Sequence, residues 1–146
     1  MKYLAIIALA CLALCTVSER TCAAVEHGTL PKGGVYYLQS NSTVSTAALE
    51  VWFRVPSAGY DNTTPGIAQL AAAACAAAKL EGGRSLAEFV HSVGGRLTVE
   101  VHPDMLSVAV VVPAAQVRRA IATLTSAYFA PHITADALKI AQADAD

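Results

Sequence analysis

The run Leu97-Thr98-Val99-Glu100-Val101-His102-Pro103-Asp104-Met105-Leu106-Ser107-Val108-Ala109-Val110-Val111-Val112 decides the class of this fold. Leu97, Val99 and Val101 alternate with Thr98, Glu100 and His102, and Leu106, Val108, Val110 and Val112 alternate with Ser107, Ala109 and Val111. Successive side chains of a strand point to opposite faces, so each half predicts a strand with one core-facing side. Pro103-Asp104 supplies turn chemistry, and the two strands are expected to join as an antiparallel hairpin.

The residues on either side of this hairpin read as helices. Ser85-Leu86-Ala87-Glu88 is a capping box, in which serine and glutamate satisfy the first free amides of a helix reciprocally. Leu86, Phe89, Val90 and Val93 follow at helical spacing, and Gly94-Gly95 ends the helix. Further upstream, Thr64 as N-cap and Pro65 at the first helical position open a helix expected to reach about Leu80, with Lys79 near its end and Gly82-Gly83 beyond it. After the hairpin, a longer helix starts near Pro113 with Val117, Ile121, Leu124 and Tyr128 on one stripe and stops at Pro131, and Thr134 caps another from Ala135 onward.

Two earlier strands complete the set. Leu49, Val51, Phe53 and Val55 alternate with Glu50, Trp52 and Arg54, and Val35-Tyr36-Tyr37-Leu38 has the branched and aromatic content of a short strand. Trp52 falls on the face opposite the apolar set. Its size predicts burial under a helix; an exposed tryptophan there would instead mark a contact surface. Antiparallel strands mixed with helices, without a strict βαβ repeat, give an α+β class: a mostly antiparallel sheet packed against helices.

Met1-Lys2-Tyr3, the apolar run from Leu4 to Val17 and the small residues Cys22-Ala23-Ala24 have the form of a secretory signal peptide. The domain reading is therefore a signal peptide over 1–24, a flexible leader over 25–34 and the ordered domain over 35–146. The apolar run is shorter than the roughly 20 residues a membrane helix needs, so no stable membrane span is expected after cleavage. Export places the chain outside the cytoplasm, secreted or periplasmic. The 55% hydrophobic content is raised by this segment and by alanine. A formal charge of −1 with scattered Lys and Arg lacks the basic face that marks nucleic-acid binding. Three of the four cysteines lie within 1–24, which leaves Cys75 alone and excludes an intrachain disulfide framework in the cleaved chain.

The order of strand, turn-rich loop, Gly66-Ile67-Ala68-Gln69-Leu70 helix, capped helix, Gly94-Gly95-Arg96-Leu97, hairpin, Pro113 helix and Pro131 resembles the opening of a domain of the pitrilysin/insulinase (M16) metallopeptidases, the family of the mitochondrial processing peptidase. Active members carry H-x-x-E-H on that first helix after a Gly-Leu-Ala-type lead. Positions i and i+4 share a helix face, so two histidines hold one zinc ion and the glutamate polarises its water. Gly66-Ile67-Ala68 matches the lead and sets the three motif positions at Gln69, Ala72 and Ala73. A neutral amide is a poor zinc ligand, and two methyl groups offer neither a lone pair nor a proton acceptor. The family's third ligand, a glutamate roughly seventy-five residues beyond the motif, is expected just past Asp146.

The resemblance thus implies a partial, noncatalytic domain with no cofactor and no metal. It is similar to the silent subunits that pair with active ones around a peptide-sized chamber, so the partner expected is a protein, either an active subunit or a second copy, with a peptide as a further ligand. An extracytoplasmic α+β binding domain and an incomplete piece of a longer zinc metallopeptidase are the alternatives. No two of His27, His91, His102 and His132 have ligand spacing on one element, so they read as surface or boundary residues. Gln69 is expected to face water and Cys75 to pack as a small helix residue. Asn41-Ser42-Thr43 and Asn62-Thr63-Thr64 both fit the glycosylation pattern in predicted loops.

Overall fold

A computed structural model describes residues 24–31, 33–55 and 66–143. The segment read as a signal peptide and the sequon at Asn62 lie outside the described residues, as do Thr64 and Pro65. The chain divides into two compact units, with the boundary between Thr43 and Val44.

The first unit contains an antiparallel hairpin of β1 (Val25–Thr29) and β2 (Val35–Gln39), paired from Val25 opposite Gln39 to Thr29 opposite Val35. The stretch 25–34, read from sequence as a leader, therefore holds a strand and its turn. The turn closes through the Leu30 N–H on the Gly34 carbonyl at 2.6 Å and the Gly33 N–H on the Leu30 carbonyl at 2.9 Å. Gly33 sits at φ 87, where a side chain would be strained. His27 stacks on Tyr37 with ring centroids 6.3 Å apart. Cross-strand pairs of this kind, more than alternation in a short polar segment, hold the two strands in register. Beyond β2, the Asn41 carboxamide oxygen accepts from the backbone N–H and the hydroxyl of Thr43, at 3.0 and 2.7 Å, in an exposed turn.

The second unit is α+β. It runs β3 (Thr46–Arg54), α1 (Ile67–Ala77), α2 (Leu86–Ser92), β4 (Arg96–Val101), β5 (Met105–Pro113), a 3-10 turn (Ala114–Gln116), α3 (Val117–Phe129) and α4 (Ala135–Ala143). The sheet order is β3-β5-β4 with both pairings antiparallel, so the hairpin's second strand lies at the centre. Register aligns Leu49 and Leu97 with Val110, Val51 and Val99 with Val108, and Phe53 and Val101 with Leu106. This apolar face meets Leu86, Phe89 and Val90 of α2 and Ala120, Leu124 and Ala127 of α3 in one core.

Local chemistry explains where the helices stop. In α2 the Ser85 hydroxyl accepts from the Glu88 N–H at 3.1 Å, and the Glu88 carboxylate accepts from the Ser85 N–H at 2.9 Å, as the capping box predicts. At its far end Gly95 leaves no room for a side chain: a Cβ there would lie 2.5 Å from the Val111 carbonyl oxygen. The first helix is shorter than the expected 65–80. Gly66 enters it at φ 82 and Ala78 leaves it extended at ψ 133, which frees Leu80 to pack on the core and turn back through its N–H to the Arg84 carbonyl at 3.1 Å. In α3 the buried stripe is Ala120, Leu124 and Ala127, with Ile121 exposed. Small side chains let that helix approach closely, a choice that a stripe of large apolar residues does not reveal. Thr134 caps α4 as expected, its hydroxyl accepting from the Ala137 N–H at 3.2 Å.

Candidate functional site

The three positions that the resemblance assigns to a zinc motif, Gln69, Ala72 and Ala73, all fall on α1. Gln69 is exposed, Ala72 is buried and Ala73 is half-buried. The helix packs along α4, and both present alanines at their buried positions: Ala72, Ala74 and Ala76 on one, Ala137 and Ala141 on the other. Alanine combines the highest helix propensity with the least side-chain volume, so the sequence favours a straight helix that tolerates close neighbours.

What surrounds Ala72 is apolar and aromatic. The Tyr128 hydroxyl, from α3, donates to the Ala72 carbonyl at 2.9 Å. Phe53 of β3 stacks on the Tyr128 ring at 5.9 Å and meets Phe129 at 5.4 Å. Burial pushes the Tyr128 phenol well above its ordinary ionisation range, and the nearby Cys75 thiolate would push it further. Burial likewise raises the Cys75 thiol, which is free and half-buried. Both groups stay neutral near pH 7, so Tyr128 serves as a hydrogen-bond donor and Cys75 as a small packing residue.

The residues at the motif positions do not fit a zinc ion. Gln69 carries a neutral amide at the exposed start of the helix, and the methyl groups of Ala72 and Ala73 carry no donor atom. Among the described residues, no three His, Cys, Asp or Glu side chains converge as a ligand set. His27 and His91 are exposed on β1 and α2, and His132 is exposed beyond α3.

The fourth histidine belongs to a cluster that periodicity leaves scattered. On the sheet face opposite the core, Trp52 of β3, Ser107 of β5 and Glu100 of β4 lie in one row across the sheet. His102 stacks on Trp52 with centroids 5.9 Å apart and planes 14° from parallel, and its Nε2 stands 3.6 Å from the Glu100 carboxylate. That Nε2 is shielded from solvent and has no hydrogen-bond partner among the described residues. Trp52 is 55% exposed, which corrects the expectation of burial under a helix: the helices of this unit gather on the core side and leave this face open. Val111 is also exposed on it, and Met105 and Ala109 are partly so. Alternation puts Trp52 and His102 on the polar face of their own strands. Only the register, which sequence patterning does not give across a central strand, brings them together.

Among the described residues, no helix is long and apolar enough to cross a membrane. In comparisons with known proteins, no family model matches the chain and no curated protein matches it.

Proposed function

We propose that this chain is a noncatalytic, exported module similar to part of a pitrilysin/insulinase-type domain, and that it acts by associating with another polypeptide. The observation that carries the reading is the chemistry of α1. Its motif positions hold an amide and two methyl groups, and the Ala72 carbonyl is engaged by the Tyr128 hydroxyl at 2.9 Å. A helix stabilised by aromatic and alanine packing needs no metal to hold its neighbours. Association is supported by the sheet itself, whose outer strands β3 and β4 each pair on one side only among the described residues. Open edges with unpaired peptide groups are the usual sites of strand addition.

A peptide-hydrolysis assay with and without chelator tests the first half of the reading. The expected result is no chelator-sensitive cleavage, and zinc-dependent turnover would refute it. Sedimentation velocity over a range of concentrations tests the second half. Self-association or partner capture is expected, whereas a monodisperse, cooperatively melting monomer that captures nothing would refute it.

The open sheet face favours a second reading, a binding domain. A half-exposed tryptophan stacked on His102, with Glu50 and Arg54 flanking it on its own strand, gives a contact patch on that face. Abolished partner capture on Trp52→Ala, with an unchanged melting profile, would select this face.

A further inference from the structure

We propose that two copies of this chain pair through their β4 edges, joining their sheets into one continuous antiparallel sheet across a two-fold axis. The inference rests on the association reading above and names its partner as a second copy.

The backbone of β4 is ready for such a pairing. β5 fills the centre of the sheet, so among the described residues β4 pairs with a strand on one side only. The His102 N–H donates to the Met105 carbonyl at 2.8 Å, and the pairing continues in register to Arg96 opposite Val111. Peptide groups of an antiparallel ladder alternate in direction. Arg96, Thr98 and Glu100 therefore turn theirs toward β5, and Leu97, Val99 and Val101 turn theirs to the open edge.

The side chains select one register. Arg96, Thr98 and Glu100 are exposed on the uncovered face, and Leu97, Val99 and Val101 are half-buried on the core face. With Thr98 on the axis, Arg96 of each copy faces Glu100 of the other, Thr98 faces Thr98, and Leu97 faces Val99. Both charged pairs then fall at positions without ladder hydrogen bonds, where strands approach most closely, with Cα atoms about 4.5 Å apart. Sliding the strands by two residues puts Arg96 opposite Thr98 or His102 and leaves neither charge with its opposite. Arg96 makes no ion pair among the described residues, and Glu100 meets only His102, at 3.6 Å. Charges on an edge strand normally discourage pairing. Here the alternation of sign turns them into a filter that admits the symmetric register. Because partners share a face, the Leu97 and Val99 rows of both copies fall on the helix-covered side, and the two cores become continuous.

The other edge carries a comparable pair, Glu50 and Arg54, but its described residues end at Val55. β4 is bounded on both sides by described turns, at Gly94-Gly95 and at Pro103-Asp104.

Charge reversal at Arg96 and Glu100, read by analytical ultracentrifugation of the purified chain, tests the pairing. Arg96→Glu and Glu100→Arg should each weaken dimerisation by about tenfold or more, since each replaces two opposite-charge cross-strand contacts by two like-charge ones. The double variant should restore the dimer, and an equimolar mixture of the two single variants should form a heterodimer. Circular dichroism of the single variants should match the parent, and so should melting compared at a concentration low enough that all are monomeric, because both residues are exposed in the single chain. A dimer indifferent to all of these changes, or sensitive only to Glu50→Arg, overturns the β4 interface while leaving association standing. A monomer in every case overturns it as well. Tight zinc binding would instead overturn the noncatalytic reading and leave the interface untouched.

Discussion

On the helix-covered face of the sheet, Val108 and Val110 are fully excluded from solvent, whereas on the other face of the same sheet Trp52 is 55% exposed beside the half-exposed His102. The two faces share every backbone hydrogen bond, so their difference lies entirely in what packs on them. Fold stability comes from the covered face, where apolar area leaves water. The other face buries Ser107 at its centre but leaves Trp52 and Val111 exposed, so it contributes less to folding. Substitutions should separate the two cleanly.

The largest effect is expected in the covered core. Leu86 is completely buried between α2 and the sheet, and Leu86→Ala should cost about 2–5 kcal/mol, measured by urea unfolding, because the truncation removes buried apolar area and leaves a cavity behind. Gly95→Ala should follow at about 1–3 kcal/mol, since its methyl would press on the Val111 carbonyl, which is fixed in the central strand.

Smaller again is the capping box, where Ser85→Ala should cost about 1 kcal/mol. Its partner adds a pH signature. The Glu88 carboxyl is held below the ordinary glutamate range, first by the hydrogen bond from Lys79 and then by the Ser85 amide. Its folded value is thus lower than its unfolded one. The contribution is complete above the unfolded value of about 4.3 and fades as pH falls through the folded value. The melting temperatures of parent and Glu88→Gln should differ near neutral pH and converge in acid.

The smallest effect should come from the open face. Trp52→Ala is expected to change unfolding free energy by less than about 0.5 kcal/mol, apart from the removal of its stacking on His102. A destabilisation comparable to that of Leu86→Ala would show that this face is packed in solution and would erase the contrast between the two.

Much of the fold is legible in the sequence because its signals are local. The alternation across 97–112, the Ser85/Glu88 box and Thr134 each name their own element, and all three appear as expected. The differences arise where the deciding interaction is distant in sequence. Leu80 leaves α1 to reach the core, alanines rather than Ile121 face inward on α3, and the 25–34 stretch becomes a strand and turn through a partner ten residues on. For the site, residue identity at Gln69, Ala72 and Ala73 can be read directly. The Trp52–His102–Glu100 cluster cannot, because it exists only once β5 is known to lie between β3 and β4.

Isothermal titration of the purified chain with zinc is the sharpest check on whether α1 can hold a metal ion. With no donor atom at Ala72 or Ala73, we expect no saturable binding near one ion per chain. A stoichiometric, tight isotherm that Gln69→Ala abolishes would contradict the account.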